Sequence, residues 1–329
     1  MLAGVVDRLI PLKSWLFPYR VLLELDDHFL TLLVLQSRGG IPMVKWLERV
    51  PLPAGTCDQG TPMRAEALAD LIGDLLVERG FAGARVAAVL PEVATEWHLV
   101  QWPGAEWPED PRRLLIQRGR EGGFRVPIQA ADIREIRLDP QPGDGAPTSL
   151  VLAVRQALLQ GWIETFALAG LALDGLEAGQ VCLLRAIDPV LSDAPDSQVV
   201  AVLELKKDSG RLVLIQKGIP VYEQLLGGSL AGLGSLADDL RRCLDFWRQQ
   251  ERGVTSIRLL LHGSQAALTE EVVDPLRQLL PAWEVGVADP FALGWLEAAP
   301  EPPISEEGAQ PAGVELLRLL GLALVEAYR

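Results

Sequence analysis

The sequence contains few cysteines and histidines, with only three of each among 329 residues. The cysteines are odd in number and far apart, so they indicate reduced thiols in a reducing compartment rather than a disulfide framework. No pair of cysteines or histidines has a spacing typical of metal ligands, and the sequence predicts no metal site. These residues are Cys57, Cys182, Cys243, His28, His98 and His262.

Basic residues are outnumbered by acidic ones, and long apolar runs are absent. The 30 Lys and Arg against 44 Asp and Glu give a net charge of −14 and a pI near 4.8. Nucleic-acid binding requires a clustered basic face, so this function is disfavoured. No run approaches the roughly eighteen apolar residues of a membrane span, and no signal-peptide cleavage pattern follows the N-terminus. We therefore expect a soluble protein.

The sequence also lacks the motifs of common enzymes. It has no Ser/His/Asp arrangement with motif support and no glycine-rich P-loop. The Gly-Gly pairs at 39, 122 and 227 predict turns. No catalytic residue is predicted. The 49% apolar composition can fill a sizeable core, and the length allows about two domain-sized units.

Two stretches of similar pattern lie about half a chain apart, at residues 20–35 and 200–215. Each has an apolar strand with an acidic residue followed by leucine, then a polar turn, then a second apolar strand. This pattern is typical of a tight hairpin on a buried sheet. The sequence therefore predicts two homologous lobes, each beginning with a β-hairpin.

The two predicted turns carry a family resemblance. Residues 24–29 (ELDDHF) and 204–209 (ELKKDS) resemble the turns that wrap the nucleotide phosphates in actin, sugar-kinase and Hsp70-like ATPases, whose pattern is Asp-x-Gly-(Ser/Thr/Ala)-x-(Ser/Thr). Further segments follow in the order of the PilM/MshI branch, the actin-like assembly factors of type IV and MSHA-type pili. These segments are residues 149–171, 238–246, 259–265, 289–291 and 319–324.

The resemblance implies an α/β, two-lobed actin-like (ribonuclease H-like) ATPase fold. Lobe 1 would span residues 19–196, with an inserted subdomain at about 92–148. Lobe 2 would span residues 197–312, and a C-terminal helix, 313–329, would return to lobe 1. Only nine residues lie between Gly228 and Asp238, so we expect the nucleotide-covering subdomain of lobe 2 to be reduced or missing.

Apolar periodicity predicts the individual elements. Leucine and isoleucine at helical spacing predict a helix over residues 64–80 that ends at Gly80. The tryptophans at 97, 102 and 107 favour packing inside the inserted subdomain over a platform for stacking bases. Further helices are predicted at 110–120, 181–188, 236–249 and 270–280, and strands at 44–50, 84–90, 133–138, 256–261 and 284–287.

Both predicted phosphate turns depart from the family pattern, and so does the segment 259–265, which resembles the adenosine loop of that family. Only glycine lets backbone N–H groups approach a phosphate closely, and Asp26 and Asp27 stand in the first turn instead. A carboxylate about 4 Å from one phosphate charge costs about 4 kcal/mol. We therefore expect a pseudo-ATPase that binds no cofactor, although an active ATPase or kinase using ATP with Mg²⁺ remains the alternative. The degenerate positions are Glu24, Asp26, His28, Glu204, Lys206, Ser209, His262 and Gly263.

The resemblance also implies partners. The chain would be a scaffold on the cytoplasmic face of the inner membrane, holding the N-terminal segment of a PilN- or MshJ-like bitopic protein between lobe 1 and the inserted subdomain. Contact with the pilus assembly ATPase is a further implied interaction, and the soluble part of a GspL-like secretion platform is an alternative. Besides an exposed edge of the strand at 86–90, the candidate groove residues are Leu90, Pro91, Trp97 and Trp102.

Residues 1–18 form a predicted N-terminal arm with an apolar face that is interrupted by Pro11 and ends at Pro18. One interpretation is an arm that packs on the domain. The other is an interfacial helix that docks on a membrane or a partner, with Trp15 and Phe17 as anchors. The length of the arm does not discriminate between them.

Overall fold

The chain forms two compact units. The first comprises Met1–Val34 with Val50–Gly179, and the second comprises Leu35–Arg49 with Gln180–Arg329. The predicted N-terminal arm and the turn residue Ser209 lie outside the described residues. The computed structural model describes residues 20–36, 41–58, 60–104, 106–118, 123–138, 146–206, 210–226, 232–250, 254–264, 268–298 and 313–325.

The described elements include both strands and helices. The strands are β1 (Arg20–Leu25), β2 (Phe29–Gln36), β3 (Met43–Pro51), β4 (Cys57–Asp58), β5 (Thr61–Pro62), β6 (Arg85–Leu90), β7 (Thr95–Gln101), β8 (Ala131–Arg137), β9 (Thr148–Arg155), β10 (Ala172–Ala178), β11 (Gln198–Leu205), β12 (Gly210–Gln216), β13 (Ile219–Leu226), β14 (Ser256–Gly263) and β15 (Glu284–Val287). The helices are α1 (Ala65–Glu78), α2 (Pro111–Arg118), α3 (Gln156–Leu168), α4 (Gly179–Ala186), α5 (Asp188–Asp193), α6 (Leu233–Gln250), α7 (Glu270–Leu279) and α8 (Leu317–Ala323).

The large sheet of the first unit is built around the first predicted hairpin. Its strands from this unit run in the order β10-β6-β1-β2. β1 and β2 are antiparallel, whereas β6 runs parallel to both β1 and β10. Leu22 and Leu23 point to opposite faces of β1, and both are at most 1% exposed. Both faces of this sheet are therefore covered, which explains the continuous apolar run of the strand.

The sheet of the second unit repeats this arrangement. Its order is β13-β12-β11-β14-β15, with β11 and β12 as an antiparallel hairpin and β14 parallel to β11. Helix α6 follows β13 after residues 227–232 alone. The chain has no room for a subdomain at this point. The prediction that the second lobe has a reduced or missing subdomain is therefore confirmed.

A separate three-stranded antiparallel sheet, in the order β7-β9-β8, lies within the first unit. One face packs on α2 and on the described residues 124–128. The buried core there includes Val100, Trp102, Leu115, Phe124 and Val151. This small sheet with its own core forms the region where an inserted subdomain is predicted.

The predicted elements occur with boundary shifts of a few residues. The predicted C-terminal helix is the exception, since a short 3₁₀ turn at Gly313–Glu315 precedes α8. The compact units divide after Gly179 rather than at residue 197, so α4 and α5 belong to the second unit. Residues 313–325 also belong to this unit. The proposed lobe boundaries remain a prediction.

Candidate functional site

The turn between β1 and β2 is closed by the side chain of Asp26. Its Oδ1 accepts hydrogen bonds from the backbone N–H groups of His28 and Phe29, both at 2.7 Å. The N–H of Asp26 donates in turn to the carbonyl oxygen of Phe29 at 3.0 Å. An aspartate bonded in this way forms an Asx-type turn. The N–H groups that a bound anion would need at this turn are therefore bonded to a carboxylate of the chain itself.

Asp27 fastens the same turn to the loop between β4 and β5. Its Oδ1 accepts a hydrogen bond from the N–H of Gly60 at 3.1 Å. Gly60 has a φ of 72°, and a Cβ there would lie 2.9 Å from both the carbonyl oxygen of Leu25 and Cβ of Pro91. Glycine is therefore required at this position. Asp27 and Pro91 thus serve the packing of the turn.

Cys57 lies close to these carboxylates. Burial raises the pKa of its thiol to about 11, with further contributions from the negative charges of Asp27 and Asp26. The thiol consequently stays protonated at neutral pH and is a poor nucleophile. Cys57 therefore does not add chemistry to the turn.

The two glutamates predicted at the nucleotide loops hold equivalent places in the two units. Glu24 is the penultimate residue of β1 and lies opposite Val89 of the parallel strand β6. Glu204 is the penultimate residue of β11 and lies opposite His262 of the parallel strand β14. The repeated pattern seen in the sequence therefore corresponds to a repeated position in the fold.

Glu204 lies in a buried cluster with basic side chains. It is 4% exposed, and its Oε1 accepts a hydrogen bond from Nη1 of Arg318 at 2.7 Å. Nζ of Lys206 lies 3.4 Å from the same oxygen. His262 is 3% exposed on the neighbouring strand. The cluster therefore gathers one carboxylate and three nitrogen-bearing side chains at the carboxyl ends of β11 and β14.

Opposing effects set the protonation of this cluster. Burial raises the pKa of the Glu204 carboxyl, but the positive charges of Arg318 and Lys206 outweigh it and hold this pKa well below its usual range. Burial lowers the pKa of His262 to about 4, Glu204 opposes this shift, and Arg318 and Lys206 add to it. At neutral pH the cluster therefore contains an ionised carboxylate, two cations and a neutral imidazole.

The loop that follows β14 packs its backbone on the end of β11. Gly263 has a φ of 123°, and a Cβ there would overlap the carbonyl oxygen of Leu205. The N–H of Ser264 donates to that oxygen at 3.0 Å. The glycine is therefore required by packing. Nε2 of His262 is buried and has no hydrogen-bond partner within the part of the chain that the structure describes.

Sequence analysis placed Glu204, Lys206, His262 and Gly263 at the loops of one lobe, and the structure brings these four together. It missed Arg318, which is separated from Glu204 by 114 positions. The signal for this residue was a single arginine within the apolar run 316–324. A lone charge in such a run indicates a buried ion with a partner of opposite sign.

Two of the four residues predicted to line a partner groove offer no surface to a partner. Leu90 is 3% exposed and Trp102 is 1% exposed. Nε1 of Trp102 donates to Oγ of Ser149 at 2.8 Å, and this hydroxyl donates to Oε1 of Glu135 at 2.6 Å. Trp102 therefore belongs to the subdomain core.

The strand predicted to supply an exposed edge is internal, and that prediction is wrong. β6 pairs on one side with β1 and on the other with β10, so both of its edges are used. Its second partner comes from a segment that begins at Ala172, far along the chain. Trp97 is half-buried and lies opposite Leu152 in the small sheet.

A groove of about 440 Å³ lies in the first unit between β8 and α3. β8 is an end strand of the small sheet, and α3 begins directly after its central strand β9. Ile163 on α3 is 45% exposed there. The sequence does not predict this groove, because β8 lies in the predicted inserted subdomain whereas α3 lies in the rest of predicted lobe 1. The lining residues are Asp132, Gln156, Ala157, Leu159, Gln160 and Ile163.

The described residues contain neither a candidate membrane-spanning helix nor a candidate metal cluster. No helix in that part of the chain is long and apolar enough to cross a membrane. The same residues contain no cluster of three or more His, Cys, Asp or Glu side chains that could hold a metal ion.

Comparison with solved structures identifies the fold. The chain is similar to a structure described as the PilM-PilN type IV pilus biogenesis complex, with 24% identity and a TM-score of 0.72 over 93% of this chain and 97% of that chain. It also matches the cytoplasmic domain of EpsL, an inner-membrane component of the type II secretion system of Vibrio cholerae, with 13% identity and a TM-score of 0.46 over 94% and 100% of the chains. The predicted actin-like α/β fold is confirmed. No family model and no curated protein matches the chain.

Proposed function

We propose that this chain is a non-catalytic scaffold of the inner-membrane assembly platform of a type IV or MSHA-type pilus. It holds the N-terminal cytoplasmic segment of a PilN-like bitopic protein and lies peripherally on the cytoplasmic face of the membrane. The fold, which is similar to that of a structure described as the PilM-PilN type IV pilus biogenesis complex, supports this assignment. The groove between β8 and α3 is the observation that carries it.

The groove suits an extended peptide. Leu159 and Ile163 provide an apolar wall, while the amides of Gln156 and Gln160 can bond to the backbone of a peptide. The adjacent strand β8 ends the small sheet, and end strands commonly receive an added peptide strand. Asp132 at the groove would favour a basic residue in that peptide.

The polar turns support a loss of nucleotide binding. In the first unit, the carboxylate of Asp26 is bonded to the N–H groups of His28 and Phe29 and would face a phosphate with like charge. In the second unit, Glu204 is already paired with Arg318 and is not available to organise Mg²⁺. The described residues of the two turns therefore favour a chain that does not bind Mg-ATP.

Peptide binding tests this proposal directly. The probe is a synthetic peptide covering the N-terminal cytoplasmic residues of the PilN-like protein from the same organism, measured by calorimetry. The wild-type chain is expected to bind it, and Ile163→Arg is expected to weaken binding at least tenfold, because a charged side chain replaces an apolar wall of the groove. No binding to the wild-type chain would reject the function.

Ile116→Arg is the matched control. Ile116 has a similar exposure, 36% against 45% for Ile163, but lies on α2 outside the groove lining. Its variant is expected to bind the peptide as the wild type does. If both variants bound the peptide equally weakly, the groove would not be the peptide-binding site. A rise in melting temperature of the wild type in millimolar Mg-ATP would overturn the loss of nucleotide binding.

A further inference from the structure

The guanidinium of Arg318 is the principal counter-ion of Glu204. Its side chain is 17% exposed and bonds the carboxylate at 2.7 Å, whereas the side chain of Lys206 is 59% exposed and lies 3.4 Å away. An exposed ammonium contributes little, because water screens its charge. A carboxylate that is 4% exposed needs a close counter-ion to stay ionised. That role therefore falls on Arg318.

Helix α8 holds this guanidinium in a fixed place. A Cβ on Gly321 would overlap the backbone carbonyl of Cys182, so α8 approaches α4 as closely as a glycine allows. Nη1 of Arg185 donates to the carbonyl oxygen of Gly321 at 2.8 Å. Leu317 and Leu320 are each 1% exposed. Arg318 is thus presented to Glu204 by a rigid, buried helix.

The neighbouring imidazole adds a second sign of a binding site. Nε2 of His262 is buried without a hydrogen-bond partner among the described residues, although it lies on the strand position opposite Glu204. A buried polar atom without a partner is destabilising, and this one lies on the strand position paired with the buried carboxylate. The Glu204 carboxylate and the unpartnered nitrogen form a polar receptor at the carboxyl ends of two parallel strands. Open α/β sheets commonly bind ligands at such ends.

We propose that this receptor is specific for a guanidinium group and that Arg318 is its tethered ligand, which closes the site from within. The inference extends the proposed loss of nucleotide binding but does not depend on any pilus partner. It predicts that an external guanidinium compound binds once the tethered one is removed. Peptide binding in the first unit is measured separately, so failure of one proposal is distinguishable from failure of the other.

The test is chemical rescue of Arg318→Ala. Ethylguanidinium at about a hundred times its dissociation constant is expected to raise the melting temperature of this variant by about 5 °C. Ethylammonium, which has the same charge but no planar fork of donors, is expected to act much more weakly. The wild-type chain is expected to respond to neither compound, since its site is filled.

Arg49→Ala provides the comparison, because Arg49 pairs with Glu315 at 3.2 Å in the same unit, and these side chains are 25% and 15% exposed against 17% and 4% for Arg318 and Glu204. Its melting temperature is expected to rise much less in ethylguanidinium, because water screens the more exposed carboxylate of Glu315. The double variant Glu204→Gln with Arg318→Met is also expected to fold and to show no response, since the carboxylate is absent. Equal responses in Arg318→Ala, Arg49→Ala and the wild type would overturn the proposal. So would an Arg318→Ala chain that stays unfolded in ethylguanidinium while the double variant folds.

Discussion

Oδ1 of Asp26 lies 2.7 Å from the backbone nitrogen of Phe29 and accepts its hydrogen bond. The same oxygen accepts the N–H of His28. One carboxylate therefore stabilises the hairpin turn from inside and also occupies the donors that an anion would use. Stabilisation of the turn and occupation of its backbone donors therefore have a common cause.

Asp26→Ala is expected to lower the free energy of unfolding by about 1 kcal/mol, because two backbone N–H groups lose a charged acceptor at an exposed turn. Asp26→Asn keeps the acceptor oxygen and is expected to lose about half as much. Urea denaturation measures both values. An Asp26→Ala chain as stable as the wild type would contradict the assigned role.

Two glycines make a matched pair for the packing of helices. Gly321→Ala is expected to destabilise the chain by at least about 2 kcal/mol, because the added Cβ overlaps the carbonyl of Cys182. Gly161 lies inside α3, where a Cβ would meet nothing within 4 Å. Gly161→Ala is therefore expected to stabilise it by about 0.5–1 kcal/mol. Thermal unfolding distinguishes the two, and changes of the same sign would refute this interpretation of the packing.

Two buried tryptophans allow the contribution of a single hydrogen bond to the free energy of unfolding to be measured. Trp102 is bonded to Ser149, whereas Nε1 of Trp162 has no partner among the described residues. Both side chains are at most 1% exposed, so replacement by phenylalanine removes similar volume from each core. Trp102→Phe is expected to cost about 1–2 kcal/mol more than Trp162→Phe, because it leaves a buried hydroxyl with one partner fewer. Equal costs in urea denaturation would show that the bond to Ser149 contributes nothing.

The sequence predicts the features that depend on local pattern. Both hairpins follow from apolar strands on either side of a short polar turn, and the matching places of Glu24 and Glu204 follow from the repeat of that pattern. Features that depend on distant segments were not predicted. The sequence predicts an exposed edge on β6, because its second partner strand, β10, comes much later in the chain. The groove likewise needs β8 and α3 to meet in space.

Polar contacts within the core are the second class of features that the sequence does not predict. Arg318 and Glu204 are 114 positions apart, and Trp102 and Ser149 are 47 apart. Apolar periodicity identifies which positions are buried, but it does not specify which buried donor meets which acceptor. The choice among such pairs depends on side-chain geometry, and this is why the partner of Glu204 emerged only from the structure.

The pH dependence of stability tests the burial of His262. Its pKa is lowered to about 4 in the folded chain, against about 6.5 when unfolded. Between these values the unfolded chain binds more protons, so stability is present above pH 6.5 and is lost as the pH falls towards 4. The contribution is about 3 kcal/mol. The charged groups facing the imidazole are Glu204, Lys206 and Arg318, and both His262→Leu and His28→Gln retain them.

His262→Leu is expected to remove this loss of about 3 kcal/mol between pH 6.5 and 4. At pH 7.5 its stability is expected to be unchanged or slightly higher, because the variant removes a buried nitrogen that lacks a partner among the described residues. Urea denaturation at half-unit intervals of pH measures the profile. His28→Gln is the control, since this histidine is exposed at the hairpin turn. If His262→Leu kept the wild-type slope in this window while His28→Gln removed it, the buried imidazole could not be the group that titrates.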